Sequence, residues 1–152
     1  MDEIKNGISI SRMSKEHLGG VCEIEKACFS TPWSLESFTY EVEKNPFSYY
    51  YVALCAGEAI AYGGMHHVID EGQITNIAVH PDFRRLGIGR ALLSRLVETS
   101  KELSITLMTL EVRSMNASAI SLYEGMGFSQ IGRRGKYYDN PVDDALLLGL
   151  IL

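Results

Sequence analysis

Ile74-Thr75-Asn76-Ile77-Ala78-Val79-His80-Pro81-Asp82-Phe83-Arg84-Arg85-Leu86-Gly87-Ile88-Gly89-Arg90-Ala91-Leu92-Leu93 reads as a strand, a loop and the start of a helix. Ile74, Ile77, Ala78 and Val79 form a short run of β-formers and small apolar residues. His80-Pro81-Asp82 ends that run, and Gly87 opens an amphipathic pattern that continues to about Lys101. Pro81 cannot donate to a ladder, so the strand ends by about Val79. Two glycines two apart leave backbone amides uncovered at the first turn of the helix, where the N–H groups have no internal partner and the dipole is positive. Arg84, Arg85 and Arg90 add three cations to the same turn. A phosphate or pyrophosphate is the natural ligand of such a turn. A P-loop is excluded because Gly89 is followed by Arg90 and Ala91, and a dinucleotide fingerprint because Leu92 stands where a third Gly or Ala is required.

Around that stretch lies an ordinary globular chain. Its 152 residues suit one domain spanning 1–152, and 46% hydrophobic with 22% charged residues describe a globular protein rather than a disordered or membrane one. No apolar run reaches transmembrane length, and Met1-Asp2-Glu3-Ile4-Lys5 lacks a basic region followed by an apolar one, so a cytoplasmic protein without membrane attachment is expected. Three cysteines, Cys22, Cys28 and Cys55, fall at no paired or zinc-ligand spacing; neither a disulfide framework nor a metal site is indicated. A net charge of −5 argues against a nucleic-acid surface. The basic residues that cluster are Arg84/Arg85/Arg90 and Arg133/Arg134/Lys136, and an acidic protein with a local basic turn suits a small anionic cofactor and a cationic acceptor.

The order of elements follows from periodicity and breakers. Ile8 and Ile10 alternate with serines in a strand over 7–12, and Ser14 caps a helix over 15–28. Phe29-Ser30-Thr31-Pro32-Trp33 breaks that helix, and Ser34 begins another that Asn45-Pro46 stops. Residues 49–55 and 58–67 are joined at Ala56-Gly57 as a hairpin, and a turn at Asp70-Glu71-Gly72 leads to the strand at 74–79. After the helix at 87–101 comes a strand at 105–112, parallel to the strand at 74–79. Asn116 then caps a helix that Gly127 ends, and 128–131 and 144–152 are the final strands. His66 and His67 are adjacent, so they face opposite sides of a strand, and no ligand stands beside them in sequence.

Arg84-x-x-Gly87-x-Gly89 resembles the Q/R-x-x-G-x-G/A pyrophosphate loop of the GCN5-related N-acetyltransferases, and the element order resembles that superfamily over the whole chain. Further blocks are similar to its RimI-type branch, the ribosomal-protein alanine N-acetyltransferases. They are Cys28-Phe29-Ser30-Thr31-Pro32-Trp33, Asn76-Ile77-Ala78-Val79-His80-Pro81, Leu110-Glu111-Val112-Arg113, Asn116-Ala117, Leu122-Tyr123-x-x-x-Gly127-Phe128 and Arg134-x-x-Tyr137-Tyr138. The resemblance implies an α/β (α+β) fold. It has a mixed, mostly antiparallel seven-stranded sheet with a V-shaped splay between strands four and five, flanked by about four helices. It implies acetyl-coenzyme A as cosubstrate with no metal. The pantetheine arm would lie on the backbone of Ile77 and Val79, and the pyrophosphate on Arg84, Arg85, Gly87, Ile88, Gly89 and Arg90. Asn116 and Tyr123 would stand near the sulfur, with Glu111 as general base and Tyr123 as general acid. Phe29, Pro32, Trp33, Tyr137 and Tyr138 would form the lips of the acceptor groove.

Chemistry asks for the same two groups. A protein α-amino group has a pKa near ~8 against ~10.4 for a lysine side chain, so it needs only modest help from a carboxylate to attack a thioester. The departing thiolate, with a pKa of roughly 8.5, can take its proton from a Tyr hydroxyl. The three cysteines are expected to lie outside the site, which favours direct transfer over a thiol relay. The expected activity is acetylation of the N-terminal residue, alanine in that branch, of a ribosomal protein by a monomer or weak dimer. Two other readings stand beside it: the same fold acting on lysine side chains, polyamines or another small amine, and a non-catalytic coenzyme A-binding sensor.

Overall fold

The structure, a computed structural model, describes residues 2–5, for which the backbone alone is considered, and 7–152. In chain order the elements are β1 (Asp2–Lys5), β2 (Ile8–Arg12), α1 (Leu18–Cys28), α2 (Leu35–Glu43), β3 (Ser48–Cys55), β4 (Glu58–Val68), β5 (Glu71–Val79), α3 (Ile88–Glu102), β6 (Leu107–Arg113), α4 (Ala117–Gly125), β7 (Ser129–Tyr138) and β8 (Asp143–Ile151). They build one sheet in the order β1-β2-β3-β4-β5-β6-β8-β7, antiparallel except where β5 meets β6. The seven expected strands and four helices are present, and β1 adds an eighth strand on the β2 edge.

The feature that makes a site out of this sheet is a separation between β5 and β6. Their parallel pairing covers Glu71↔Leu107, Gly72↔Met108 and Gln73↔Thr109, and no later pair among the described residues. On its other edge β5 stays paired with β4 as far as Ala61↔Val79, but with one extra residue, Thr75, between the pairs Met65↔Ile74 and Gly64↔Asn76. A bulge of this kind bends its strand and raises the local twist. β5 therefore follows β4 away from β6, and the backbone edge of residues 74–79 opens into a V.

Two helical layers cover the sheet. On one face α1 and α2 bury Leu18, Val21, Ile24 and Phe38 against Tyr50, Val52, Leu54, Tyr62 and Ala78. On the other, Ile88, Leu92, Leu93 and Leu96 of α3, spaced at helical intervals, pack on Ala53, Ala61, Met65 and Ile74. Each such side chain contributes about 1.5–3 kcal/mol by leaving water. Tyr123 of α4 and Phe128 belong to this second layer. Gly64 admits the Tyr50 ring against β4, since a Cβ there would run into that ring.

Four boundaries differ from the sequence expectation. The 15–28 helix begins as a three-ten turn at Lys15–His17, where the Ser14 N–H donates to His17 Nδ1, and becomes α-helical at Leu18. The β4–β5 turn is Ile69-Asp70, with Val68 paired to Glu71, so Glu71 and Gly72 belong to the strand. The strand expected at 105–112 starts at Leu107. The strand expected at 128–131 runs to Tyr138. Gly132, Arg133 and Arg134 read as loop, yet they pair with Leu147, Leu146 and Ala145. Asp144 explains this: its carboxylate accepts from Arg133 Nη2 at 2.6 Å and from the Lys136 N–H at 2.8 Å, which zips the polar segment onto β8.

Candidate active site

The mouth of the V is framed by the loop after β5, the start of α3, the loop between α1 and α2, and the β7–β8 hairpin. His80 donates its backbone N–H to the Ile60 carbonyl at 2.8 Å. Strand alternation then directs the backbone groups of Val79 and Ile77 to the other edge, into the V, where β6 has separated. Arg85 sits at φ 63° and Gly87 at φ 79°, so the chain folds tightly into α3, and Gly87 takes the left-handed conformation that favours glycine. A Cβ on Gly87 would meet nothing within 4 Å, so its role is conformational, whereas one on Gly89 would touch Leu122 of α4 at 3.4 Å. The amides of Ile88, Gly89 and Arg90 begin α3 without intrahelical partners.

The three arginines of this turn divide. Arg84 folds back: its Nε donates to the Val79 carbonyl at 3.2 Å and its guanidinium lies 3.6 Å from Cys28 Sγ. That carbonyl also accepts from the Cys28 thiol at 3.4 Å. Arg84 thus fastens the loop to β5, while Arg85 and Arg90 are exposed and have no partner among the described residues. Cys28 is correspondingly nearer to the mouth of the V than its sequence position suggested. A pyrophosphate fits the open amides with Arg85 and Arg90, and an amide-bearing arm fits the Ile77–Val79 edge.

Glu111 projects from β6 at 28% side-chain exposure, on the face opposite Leu110 and Val112. Its Oε1 lies 3.9 Å from Arg134 Nη2, and its Oε2 is buried without a hydrogen-bond partner. A buried carboxylate oxygen left without a donor is costly and is a poor structural device. Hydrogen bonding to the Glu111 carboxylate, and then its charge, hold the neighbouring Tyr137 hydroxyl above its ordinary pKa. Tyr138 is pushed up to about 12, first by burial and then by the Glu111 charge. The Tyr137 and Tyr138 rings meet edge-on at 5.0 Å, with Arg134 over the first and Arg113 4.4 Å from the centre of the second. Tyr123 is 6% exposed and packs on Phe128; burial and then the adjoining Tyr138 raise its hydroxyl well above the ordinary value, so it holds its proton. Glu111, Tyr123, Tyr137 and Tyr138 are therefore one cluster. Asn116 caps α4, its Oδ1 accepting from the Ala119 N–H at 3.2 Å.

Residues that the sequence reading missed hold the Phe29–Trp33 loop and the β7–β8 turn in place. Glu25, 1% exposed inside α1, accepts the Trp33 backbone N–H at 2.7 Å and the Tyr62 hydroxyl, and Asn76 of β5 donates to Tyr62 at 3.1 Å. The loop carrying Phe29, Pro32 and Trp33 is thereby tied to the strand that edges the V. Ser30 Oγ donates to the Asn140 carbonyl at 3.1 Å, so this loop touches the β7–β8 turn. Arg113 donates to the carbonyls of Asp139 and Pro141 and fixes that turn. Among the described residues, no group of His, Cys, Asp or Glu is arranged to hold a metal ion.

This combination of a split parallel pair, an arginine-flanked glycine turn and a carboxylate beside a cluster of tyrosines defines the class. The profile of the Acetyltransferase (GNAT) family matches residues 18–128, and the chain belongs to that family. Among individual relatives, it is 36% identical over 145 residues to a Bacillus subtilis (strain 168) protein provisionally described as a ribosomal protein bS18-alanine N-acetyltransferase. That match covers 95% of this chain and 96% of the relative. It is 33% identical to the Escherichia coli (strain K12) ribosomal protein bS18-alanine N-acetyltransferase, over 93% of this chain and 96% of that one. The crystal structure of the Escherichia coli ribosomal-protein-S18-alanine N-acetyltransferase superposes with a TM-score of 0.86 at 32% identity, over 95% of this chain and 93% of that chain. The NatC complex bound to Gag peptide and CoA shares the fold at a TM-score of 0.83 and 24% identity, over 95% and 98% of the two chains.

Proposed function

We propose that this protein is an acetyl-coenzyme A-dependent N-α-acetyltransferase that modifies the N-terminal residue, alanine by analogy with the named relatives, of a ribosomal protein. The observation that carries this reading is Glu111, a carboxylate with one buried unpartnered oxygen beside the opening of the β5–β6 V. The pyrophosphate is assigned to the backbone of Gly87, Ile88 and Gly89 with Arg85 and Arg90, Arg84 acting through the loop. The pantetheine arm is assigned to Ile77 and Val79. Phe29, Pro32, Trp33, Tyr137 and Tyr138 line the entry of the acceptor, and Asn116 and Tyr123 close the sulfur end.

Glu111 takes the proton of the incoming ammonium, directly or through a water, and the neutral amine attacks the thioester carbonyl. The Val79 N–H, aimed into the V, is placed to stabilise the oxyanion. Tyr123 keeps its proton until negative charge develops on sulfur and then donates it. Holding amine and thioester together supplies a further part of the rate. The transfer is direct: Cys28, although near Val79, is engaged with that carbonyl and with Arg84.

The test is acetyl transfer to two short peptides, one with a free N-terminal Ala and one N-terminally blocked with an internal Lys, resolved by mass spectrometry. Modification of the first alone is expected. Glu111→Gln and Tyr123→Phe should each lower kcat by about 10²–10⁴-fold with the KM for acetyl-coenzyme A little changed. Modification of the blocked peptide would move the acceptor to lysine, and full activity in both variants would remove the assigned base and acid.

A further inference from the structure

Next to the acceptor lip, α2 presents a shallow pocket of about 410 Å³ lined by Trp33, Ser34, Glu36, Ser37, Tyr40 and Glu41. Its walls are two exposed aromatics, Trp33 at 37% and Tyr40 at 53% exposure. Trp33 is held from both sides: its N–H is bound by Glu25 and its ring leans on buried Phe38 at 5.4 Å. Glu36 is exposed and has no hydrogen-bond or ion-pair partner among the described residues. Glu41 closes the inner end, where its Oε2 accepts from Ser48 and Asn45 and meets His66 Nε2 at 2.8 Å. Among the described residues, no basic side chain lines the pocket. The place of Glu36 in the first turn of α2 accounts for an acid there, but not for a fixed indole and an open phenol beside it.

An unpaired carboxylate lining the same pocket as two aromatic side chains is a receptor for a cation, above all a planar guanidinium, which stacks on a ring while it pairs with the acid. We infer that this pocket is a subsite for an arginine or lysine of the acceptor, a few residues behind the N-terminus being acetylated. The inference rests on the proposed transferase reading for its placement, since Trp33 is shared between the acceptor lip and the pocket. It adds a requirement the catalytic cluster does not impose: a free α-amine suffices for chemistry, whereas the pocket selects basic N-terminal segments.

Trp33 is the chain's single tryptophan, so its fluorescence reports occupancy without any turnover. The coenzyme A-loaded protein is titrated with N-terminal Ala peptides in which one Arg is moved through positions two to five, each matched with a peptide carrying citrulline, the neutral isostere. At one or more positions the Arg peptide should bind about tenfold tighter than its match, and added salt should weaken that preference. Glu36→Gln and Tyr40→Ala should each bring the two within about twofold. Equal binding of every matched pair by the wild type, or an Arg preference intact in both variants, would overturn the subsite. Acetylation is scored in the same samples. α-Acetylation of both peptides without preference leaves the transferase reading standing and removes the subsite. An Arg preference in binding that both variants abolish, with no peptide acetylated, does the reverse.

Discussion

Glu25 illustrates what a single buried residue does for this site. Its carboxylate gathers the Trp33 N–H and the Tyr62 hydroxyl into one network between α1, β4 and the loop after α1. Burial and then the Glu25 charge hold the Tyr62 hydroxyl above its ordinary pKa, so Tyr62 remains a donor. Replacing Glu25 by Ala takes the acceptor from the buried Tyr62 hydroxyl and the half-buried Trp33 N–H, and Asn76 Nδ2 loses its longer bond at 3.4 Å, so roughly 2–3 kcal/mol of stability should be lost. Because one of those donors is on the loop, the KM for the acceptor peptide should rise while the KM for acetyl-coenzyme A stays close to wild type. Glu25→Gln retains a carbonyl oxygen for Trp33 and should recover most of the peptide KM. Thermal melting with the two KM values checks this, and an equal rise in both would assign Glu25 to general stability only.

At the scale of elements, the β7–β8 hairpin, which carries Tyr137 and Tyr138 of the proposed acceptor entry, depends on two acids. Asp143 is held below the ordinary carboxyl range first by the Ser114 hydroxyl, and Asp144 first by the Lys136 N–H and then by Arg133. A folded-state pKa lower than the unfolded value means that the contribution is fully present above the unfolded value of ~3.9 and is lost as pH falls through the depressed folded values. Hydrogen exchange of the β7 amides should therefore accelerate below about pH 4 ahead of those of β3 and β4, and Asp144→Asn should remove part of that acid sensitivity. The same acids explain why the sequence reading ended this strand too soon. A run of Gly, Arg and Lys has no period-2 apolar signal, and its ladder is secured by side chains from the opposite strand.

For the whole molecule, the V is a weakness in the sheet that a ligand can mend. Residues 74–79 have no β6 partner, and a coenzyme A arm laid along Ile77 and Val79 would occupy those backbone groups. On the proposed reading coenzyme A binds the folded state alone, so at a hundredfold excess over Kd it should add about 2.7 kcal/mol and raise Tm by roughly 5–10 °C. The accompanying gain in hydrogen-exchange protection should concentrate at Ile77 and Val79 rather than spread over β3 and β4. Uniform protection would place the cofactor elsewhere.

Sequence alone determined the order of elements and the glycine turn, and it nominated Glu111 and Tyr123, because each rests on local rules: helical spacing, φ-permissive glycines, proline stops and a family motif carried by neighbouring residues. The V was expected only through that family resemblance; its cause here, the bulge at Thr75 together with pairing that stops at Gln73↔Thr109, is a matter of register between strands and is invisible along one chain. Arg84 turning back onto Val79, Glu25 reaching Trp33, Glu41 meeting His66 and Ser30 touching Asn140 join residues 5, 8, 25 and 110 positions apart. Only the tertiary structure decided these contacts, since a hydrogen bond is formed by proximity and direction, and for distant residues both are set by how helices and strands pack.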